Sequence, residues 1–371
     1  MQPKRILLMH ISDISGHRSA SLAIEKALKA DYPQIQTRNI NAFNYVYPRG
    51  EKIINSFYLL TIKRMPFIWS YLYDNYYLIK KTRKIKEAIH YMNFRKFETL
   101  FNNFHPDAVV TTQAFPCGMV ADLKKKKGIH LPLVAVLTDF AAHSYWIYDN
   151  VDYYVVPSDE ARQKLIDKGV KPEKIKTFGI PFDTSFNKDL NKIEMRRKLN
   201  LDPDLFTILI MGGGQGLGPI KNTVKNLDKL NLNFQEIVTC GNNKKVYSRL
   251  KKKQKHYKKK MLLLSYAHNM EELMSAADLI ITKPGGITCA EALSKGLPML
   301  IVSPIPGQEA NNTSFLVGQK AAIKIANAKD LVKVITDLYN HPEKLKALSE
   351  SAKRISKPAA AEDIAKLLSG L

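Results

Sequence analysis

Short apolar segments alternate with longer amphipathic segments along the whole of this sequence. Strands that alternate with helices indicate βαβ units, which build parallel sheets covered by helices. The strands predicted in the first half are Arg5–His10, Ala108–Thr112, Leu133–Leu137, Tyr153–Val156 and Lys176–Phe178. Those predicted in the second half are Thr207–Met211, Glu236–Thr239, Met261–Leu264, Leu279–Thr282, Met299–Val302 and Ala322–Ile325. The sequence therefore predicts an α/β protein with two Rossmann-like halves, joined by the polar segment Asn187–Asp204.

The length and composition fit two globular domains. The chain has 371 residues, of which 45% are hydrophobic, so each domain can have its own core. No apolar run approaches the roughly 20 residues that span a bilayer, and Ile6–Met9 is too short for a secretory leader. We therefore expect a cytoplasmic protein. Its three widely spaced cysteines fit neither a disulfide framework nor a zinc site.

The net charge of +23 favours contact with nucleic acid, anionic lipid or acidic small molecules, without distinguishing among them. One stretch, residues 49–98, combines eleven aromatic residues with eleven Lys or Arg and only four Asp or Glu. Aromatic rings beside cations suit a membrane interface that carries anionic lipid. The alternative is an aromatic helix pair packed on the sheet with a solvated basic face. The predicted membrane residues are Trp69, Lys80, Lys81, Arg83 and Lys84.

Two lysine runs, Lys124–Lys127 and Lys251–Lys260, are typical of solvated surfaces. Nucleic-acid binding is a separate class of function that the charge suggests. The sequence contains no readable nucleic-acid module such as a zinc finger, and we expect no specific nucleic-acid partner.

The loop after the first strand contains Gly16, His17 and Arg18 and leads into a helix predicted at Ser19–Ala30. Ligands of open α/β sheets bind at this end of the strands, and a helix N-terminus favours negative charge. A histidine there could take a proton from an attacking hydroxyl near neutral pH. The alternative is that His17 only caps the loop.

Two glycine-rich loops follow strands in the second half. The first is Gly212–Gly218, and the second is the Pro-Gly-Gly turn at 284–286, which opens a helix that carries Glu291. Such a turn can hold a diphosphate on backbone N–H groups, while Glu291 accepts hydrogen bonds from ribose. Gln308, Glu309 and Asn312 could then bind sugar hydroxyls. The alternative is a pair of unrelated strand-to-helix turns.

Five motifs occur in a characteristic order: G-H-R-S-A from Gly16, T-D-F-x-x-H-x-x-W from Thr138, G-G-G-x-G-L-G from Gly212, K-P-G-G-x-T-x-x-E-A from Lys283 and G-Q-E-x-x-N from Gly307. In this order they resemble the bacterial processive diacylglycerol β-glucosyltransferases and the plant monogalactosyldiacylglycerol synthases, within glycosyltransferase family 28. The peptidoglycan enzyme that adds GlcNAc to lipid I is more distantly similar. The resemblance covers nearly the whole chain.

The resemblance implies a GT-B fold, in which two Rossmann-like domains face a cleft. Residues 1–190 would form the N-terminal acceptor and membrane-binding domain, and residues 200–356 the C-terminal domain that binds the UDP-sugar. Residues 357–371, with a helix at Glu362–Leu371, would pack back on the N-terminal domain.

The resemblance also implies roles for individual residues. His17 would be the catalytic base and Asp139 an orienting or electrostatic partner for the acceptor site, with Gly16, His143 and Trp146 on the acceptor side. The implied donor-binding residues are Gly213, Gly214, Gly241, Asn242, Met270, Pro284, Gly285, Gly286, Thr288, Glu291, Gln308, Glu309 and Asn312.

The activity that the resemblance implies is inverting transfer of glucose from UDP-glucose to the 3-hydroxyl of 1,2-diacylglycerol. We expect mono- and diglucosyl products, no metal and no cofactor. The expected partners are the UDP-sugar, diacylglycerol and an anionic phospholipid surface on the cytoplasmic face of the membrane. The alternatives are a UDP-galactose donor, UDP-GlcNAc transfer to an undecaprenyl-linked acceptor, a UDP-GlcNAc 2-epimerase and a catalytically inactive lipid-binding regulator.

Overall fold

The computed structural model describes residues 3–13, 15–47 and 94–371, and these form two compact units. The first unit comprises the described residues up to Thr184, together with Ile305–Gln308 and Lys357–Leu371. The second comprises Ser185–Pro304 and Glu309–Ser356. Residues 49–93 of the aromatic and basic stretch, with Trp69, Lys80, Lys81, Arg83 and Lys84, lie outside the described residues.

The strands of the first unit are β1 Arg5–His10, β2 Gln36–Asn41, β3 Ala108–Thr111, β4 Leu133–Val136, β5 Tyr153–Val155 and β6 Ile175–Lys176. Those of the second are β7 Phe206–Met211, β8 Phe234–Thr239, β9 Met261–Leu264, β10 Leu279–Thr282, β11 Met299–Val302 and β12 Ala322–Ile325. Every pairing is parallel, in the orders β2-β1-β3-β4-β5-β6 and β12-β11-β10-β7-β8-β9.

The helices connect and cover these strands. They are α1 Gly16–Asp31, α2 Ala42–Val46, α3 Ala114–Lys127, α4 Asp159–Asp167, α5 Lys192–Lys198, α6 Ile220–Leu227, α7 Lys244–Lys253, α8 Met270–Ala276, α9 Gly286–Ser294, α10 Gln308–Gly318, α11 Ala328–Asn340, α12 Pro342–Ile355 and α13 Ala360–Gly370. Residues 94–104 are also helical. None of the helices among the described residues is both long and apolar enough to cross a membrane.

The central strands are apolar because helices cover both faces of each sheet. In the first unit, alternate residues of β1 enter separate cores on the two faces. Helix α13 contributes Ile364, Ala365 and Leu368 to the core that it shares with α1. The predicted helix at Glu362–Leu371 therefore exists and packs on the first unit.

Each sheet has a point where the order of strands reverses. In the first sheet this point lies between β1 and β3, and in the second it lies between β7 and β10. Loops that leave neighbouring strands in opposite directions open a crevice at the carboxyl ends, which is where open α/β sheets bind ligands. The predicted catalytic loop follows β1, and the predicted donor loops follow β7 and β10.

One expectation about a charged segment was wrong, and a second was wrong in part. The segment Asn187–Asp204 contains helix α5, and its buried Arg196 donates to the carbonyls of Ala276 and Pro203 as well as to Asp278. It is therefore packed in the second unit and does not behave as a linker.

The run Lys124–Lys127 is not a purely solvated surface. Lys124 is buried, donating to the Asn150 carbonyl over 2.9 Å and pairing with Asp152 over 2.5 Å. Lys127 pairs with Glu98 over 2.6 Å.

Candidate functional site

The first candidate site lies at the carboxyl ends of β1 and β3, where His17 is the second residue of α1. Its Nδ1 atom is 2.9 Å from the Thr112 carbonyl oxygen and 2.9 Å from the Thr138 hydroxyl. The Thr112 hydroxyl donates to the His17 carbonyl over 2.8 Å. The loops after β3 and β4 therefore fix the ring from two sides.

The hydrogen bonds of Nδ1 define which ring nitrogen of His17 can act as a base. A carbonyl oxygen only accepts, so Nδ1 carries the proton and the lone pair is on Nε2. Burial lowers the pKa of His17 below its ordinary value, although Asp139 and the Thr112 hydrogen bond oppose this effect. The neutral ring is thereby favoured near pH 7, as a general base requires.

Asp139 supplies a negative charge close to this imidazole. It follows Thr138, and its electrostatic effect raises the pKa of His17. The Gln308 side chain donates to Asp139 Oδ2. Gln308 belongs to the segment Ile305–Gln308, which packs within the first unit. The structure therefore links Gln308, predicted as a sugar ligand, to the predicted catalytic pair.

The predicted acceptor residues differ in exposure. Gly16 is exposed and follows Ser15, whose hydroxyl caps α1 by accepting from the Arg18 N–H over 3.3 Å. His143 is half-buried, and its ring centroid lies 6.1 Å from that of Trp146. Trp146 is only 4% exposed and belongs to the core of the first unit. The structure thus gives Trp146 a packing role behind His143.

In the second unit, the glycine-rich loop after β7 packs directly on the turn after β8. At Gly216, where φ is +60°, a β-carbon would lie 1.8 Å from the Cys240 carbonyl oxygen. The Asn242 amide donates to the Gly214 carbonyl over 2.9 Å. Backbone packing therefore requires glycine here even without a ligand. The same packing brings together the predicted residues Gly213, Gly214, Gly241 and Asn242.

The turn after β10 leads directly into α9. Gly285 is the residue before the helix, with φ −66°, and no atom lies within 4 Å of its hypothetical β-carbon. The buried Asn312 side chain donates to the Pro284 carbonyl over 2.9 Å and fixes the turn. Thr288 and Glu291 lie in the first two turns of α9, which begins at Gly286. Because a helix N-terminus presents backbone N–H groups, this open turn can hold a diphosphate.

A buried ion pair lies beside this turn. Lys283 Nζ is 2.9 Å from Glu309 Oε1, and the two side chains are only 9% and 16% exposed. Glu309 was predicted to bind the sugar, and the pair fixes its carboxylate in one orientation. The structure therefore adds Lys283 to the candidate donor site.

Two further features bear on the donor site. Met270 is half-buried and begins α8 after β9, on the same edge of the sheet as the glycine loops. Asp202 and Asp204 have the Asp-x-Asp spacing of some metal sites, but they precede β7 at the opposite edge, where Asp202 accepts from the Asp204 N–H over 3.0 Å. Among the described residues, no group of three His, Cys, Asp or Glu side chains is placed to hold a metal ion.

Solved structures with the same architecture define the class of this protein. MurG from Acinetobacter baumannii has a TM-score of 0.65 at 16% identity, and the alignment covers 100% of both chains. Staphylococcus aureus MnaA, solved with UDP, has a TM-score of 0.65 at 15% identity, covering 97% of this chain and 94% of that one. Two parallel six-stranded sheets with this likeness define the GT-B fold, which confirms the predicted fold class.

Sequence comparison defines the family within that class. Residues 17–182 match the monogalactosyldiacylglycerol (MGDG) synthase family model, and residues 207–368 match the glycosyltransferase family 28 C-terminal domain. The processive diacylglycerol beta-glucosyltransferase of Bacillus mycoides is 34% identical over 292 residues, covering 78% of this chain and 74% of the relative. That of Bacillus pumilus is 29% identical over 364 residues, covering 95% and 91%. The chain belongs to the family of processive diacylglycerol beta-glucosyltransferases.

Proposed function

We propose that this enzyme transfers glucose from UDP-glucose to the 3-hydroxyl of 1,2-diacylglycerol with inversion at the anomeric carbon. The names of the relatives support the sugar and the acceptor. For the chemistry, the observation that carries the proposal is the Nδ1–H of His17 bound to the Thr112 carbonyl. This bond leaves Nε2 as the basic nitrogen of a ring whose neutral form is favoured.

The proposed step is a direct displacement. Nε2 of His17 takes the proton of the glycerol hydroxyl while that oxygen forms a bond to the anomeric carbon of the donor. The bond from this carbon to the UDP oxygen breaks, and UDP leaves with the bonding electron pair. Asp139 stabilises the imidazolium that results, since its negative charge already raises the pKa of His17. An α-linked donor gives a β-glucoside.

Departing UDP carries new negative charge on its diphosphate. Backbone N–H groups at the start of α9, next to the open position of Gly285, can stabilise this charge. We propose that these groups act without a metal ion. Glu291 would bind the ribose, and Glu309, held by Lys283, would bind the sugar.

The location of the acceptor implies that the enzyme works at a membrane. We propose a peripheral association with the cytoplasmic face, through residues 49–98 and anionic phospholipid. A second transfer to the first product would make diglucosyldiacylglycerol.

The testing experiment measures transfer of radiolabelled sugar to diacylglycerol in anionic vesicles, with EDTA present. UDP-glucose, UDP-galactose and UDP-GlcNAc are compared as donors, and the products are separated on thin-layer plates. Labelled glycolipid from UDP-glucose alone would support the proposal, and a second spot would show a second transfer. Labelling from another donor would replace glucose as the proposed sugar. Activity that EDTA abolishes and a divalent cation restores would contradict the metal-free mechanism.

A further inference from the structure

The second unit carries a lysine-rich surface that the proposed reaction does not use. Between Cys240 and Glu271 the sequence has ten Lys and Arg residues and no Asp or Glu. Six lysines lie exposed at the end of α7 and in the connection to β9, the edge strand of the second sheet. These residues, which we call the α7 lysine patch, are Lys251, Lys252, Lys253, Lys255, Lys258 and Lys260.

The positive charge of this patch is compensated only in part, by Asp228, whose carboxylate accepts from the backbone N–H groups of Lys258 and Lys259. Elsewhere in the same unit, exposed lysines pair with carboxylates, as Lys192 does with Asp278 over 2.7 Å and Lys198 with Glu272 over 2.6 Å. Within the part of the chain that the structure describes, no ion pair involves any of the six patch lysines. Their mutual repulsion therefore persists in the folded protein, and an external anion would relieve it.

The seventh lysine of this run, Lys259, differs from the patch lysines because its side chain packs within the second unit. Lys259 is half-buried, lies 4.6 Å from the centre of the Phe234 ring and donates to the Leu232 carbonyl over 2.5 Å. The patch lysines make no such contacts to the core. Their side chains are available to a partner.

The aromatic residues of the segment indicate which polyanion fits. Tyr247 and Tyr257 pack against the core of the second unit and are only half-exposed, so neither presents an open face on which a base could stack. The exposed Tyr266 follows β9, at the end of that strand opposite Lys260, and the exposed ring among the lysines is that of His256. Arg249 is the one arginine between Cys240 and Glu271, whereas the planar guanidinium of arginine is the group best suited to bidentate and stacked contacts with nucleic acid. Flexible, strongly hydrated lysines suit a diffuse layer of charged headgroups.

We propose that the α7 lysine patch binds the anionic headgroup surface of the membrane that contains the acceptor lipid. The unit that holds the sugar donor would then have its own membrane contact, separate from residues 49–98. The proposal rests on the proposed membrane acceptor but goes beyond the transfer reaction, because none of the six lysines is among the residues assigned to the donor or the acceptor.

The test compares two triple charge reversals in the full-length protein. The patch variant is Lys251→Glu, Lys252→Glu and Lys253→Glu. The control variant is Lys329→Glu, Lys333→Glu and Lys346→Glu, which makes the same change of net charge at exposed lysines on α11 and α12, where acidic residues are interspersed. Sedimentation with vesicles measures binding, with and without phosphatidylglycerol in phosphatidylcholine.

One lysine near an anionic surface contributes roughly a factor of five in binding. We therefore expect the affinity of the patch variant for anionic vesicles to fall about a hundredfold, and that of the control variant to fall only about tenfold. High salt should remove the difference, because it screens exposed charges. Equal losses in both variants would overturn the proposal.

Two further readouts keep the result specific. Both variants should keep the wild-type unfolding temperature and the wild-type transfer rate in neutral detergent micelles, so that a binding defect is not a folding defect. If the patch variant keeps vesicle binding but loses binding to single-stranded RNA, the surface recognises nucleic acid and the proposal fails. Because binding is measured without sugar transfer, failure of the proposed reaction would not affect this outcome.

Discussion

In the first unit, the loop after β1 presents an ionisable ring, whereas in the second unit the loop after β7 presents a series of glycines. The His17 ring is held by the Thr112 carbonyl and the Thr138 hydroxyl, so that one nitrogen has a defined position and protonation state. The loop after β7 and the turn after β10 are rich in glycine, so the backbone itself comes to the edge of the sheet. Equivalent places in two similar sheets thus offer different chemical groups.

The difference follows from what each place must bind. A proton can be transferred by a single nitrogen, so its partners need only fix one ring. A diphosphate spreads its charge over several oxygens, and a row of backbone N–H groups matches it better than one side chain does. We infer that the first unit contributes proton transfer and that the second contributes binding of the leaving group. Four predictions test this division.

The largest effect is expected from His17→Ala. Loss of a general base lowers the rate by about a thousandfold, within the usual range for such groups. UDP affinity, measured by calorimetry, should stay at the wild-type value because His17 belongs to the first unit. The exposed His130→Ala in the same unit is the matched control and should change neither quantity. Loss of both transfer and UDP binding would contradict the division.

Two glycine variants of the second unit should separate packing from ligand binding. In Gly216→Ala the new carbon would meet the Cys240 carbonyl oxygen at 1.8 Å, so we expect the free energy of unfolding to fall by about 2 to 3 kcal/mol. In Gly285→Ala the carbon meets no protein atom within 4 Å, so stability should be unchanged while UDP affinity falls.

Denaturant unfolding and UDP calorimetry measure the two effects on both variants. If Gly285→Ala keeps its affinity for UDP, then the turn after β10 does not hold the diphosphate.

A smaller effect is expected from Thr138→Val. The hydroxyl accepts from Nδ1–H and stabilises the imidazolium, so its loss should lower the rate by about three- to tenfold. It should also lower the pKa of His17 further, which moves the rise of kcat/KM with pH to lower pH. Thr138→Ser keeps the hydroxyl and should restore the wild-type profile. A rate loss without movement of the pH profile would show that Thr138 acts only through packing.

The smallest effect on activity is expected from Glu236→Gln. Glu236 on β8 is fully buried, and neither carboxylate oxygen has a hydrogen-bond partner among the described residues. Burial raises its pKa from 4.5 to about 8, so the folded state holds a proton that the unfolded state releases in this pH range. The stability associated with this proton is therefore fully present below pH 4.5. It is lost as pH rises from 4.5 through the folded-state pKa of about 8.

The amide variant stays neutral, so at pH 9 its free energy of unfolding should exceed that of the wild type by about 1 to 3 kcal/mol. Near pH 4 the two proteins should unfold alike. Exposed Glu343→Gln is the control. A change in the pH dependence of transfer by Glu236→Gln would contradict the assignment of proton chemistry to the first unit.

The sequence was most informative where strands are buried on both faces. Leu279–Thr282 and Met299–Val302 form at their predicted bounds, because continuous apolar runs leave little choice of boundary. Strand β2, with the sequence QTRNIN, was missed. It is an edge strand whose Thr37 and Asn39 donate to Glu25 on α1, so polar contacts replace the apolar pattern.

Side-chain partners that are distant in sequence were also missed. Thr112 and Thr138 reach His17 across 95 and 121 positions. No local pattern marks Thr112, and Thr138 was noted only as the first residue of a motif. Lys283 and Glu309 are 26 positions apart and belong to two different motifs, so the sequence did not indicate that they pair. Motifs identify residue types at a site, whereas the fold decides which of them touch.

The packing of α13 on α1 has a consequence for the order in which the protein is made. The face of α1 that carries Ile24 and Leu28 shares a core with Ile364 and Leu368. A ribosome delivers α13 only after it has synthesised the whole second unit. Until then, the apolar face of α1, the helix that begins with Gly16 and His17, is not covered by α13. The nascent first unit therefore exposes an apolar face that chaperones can bind.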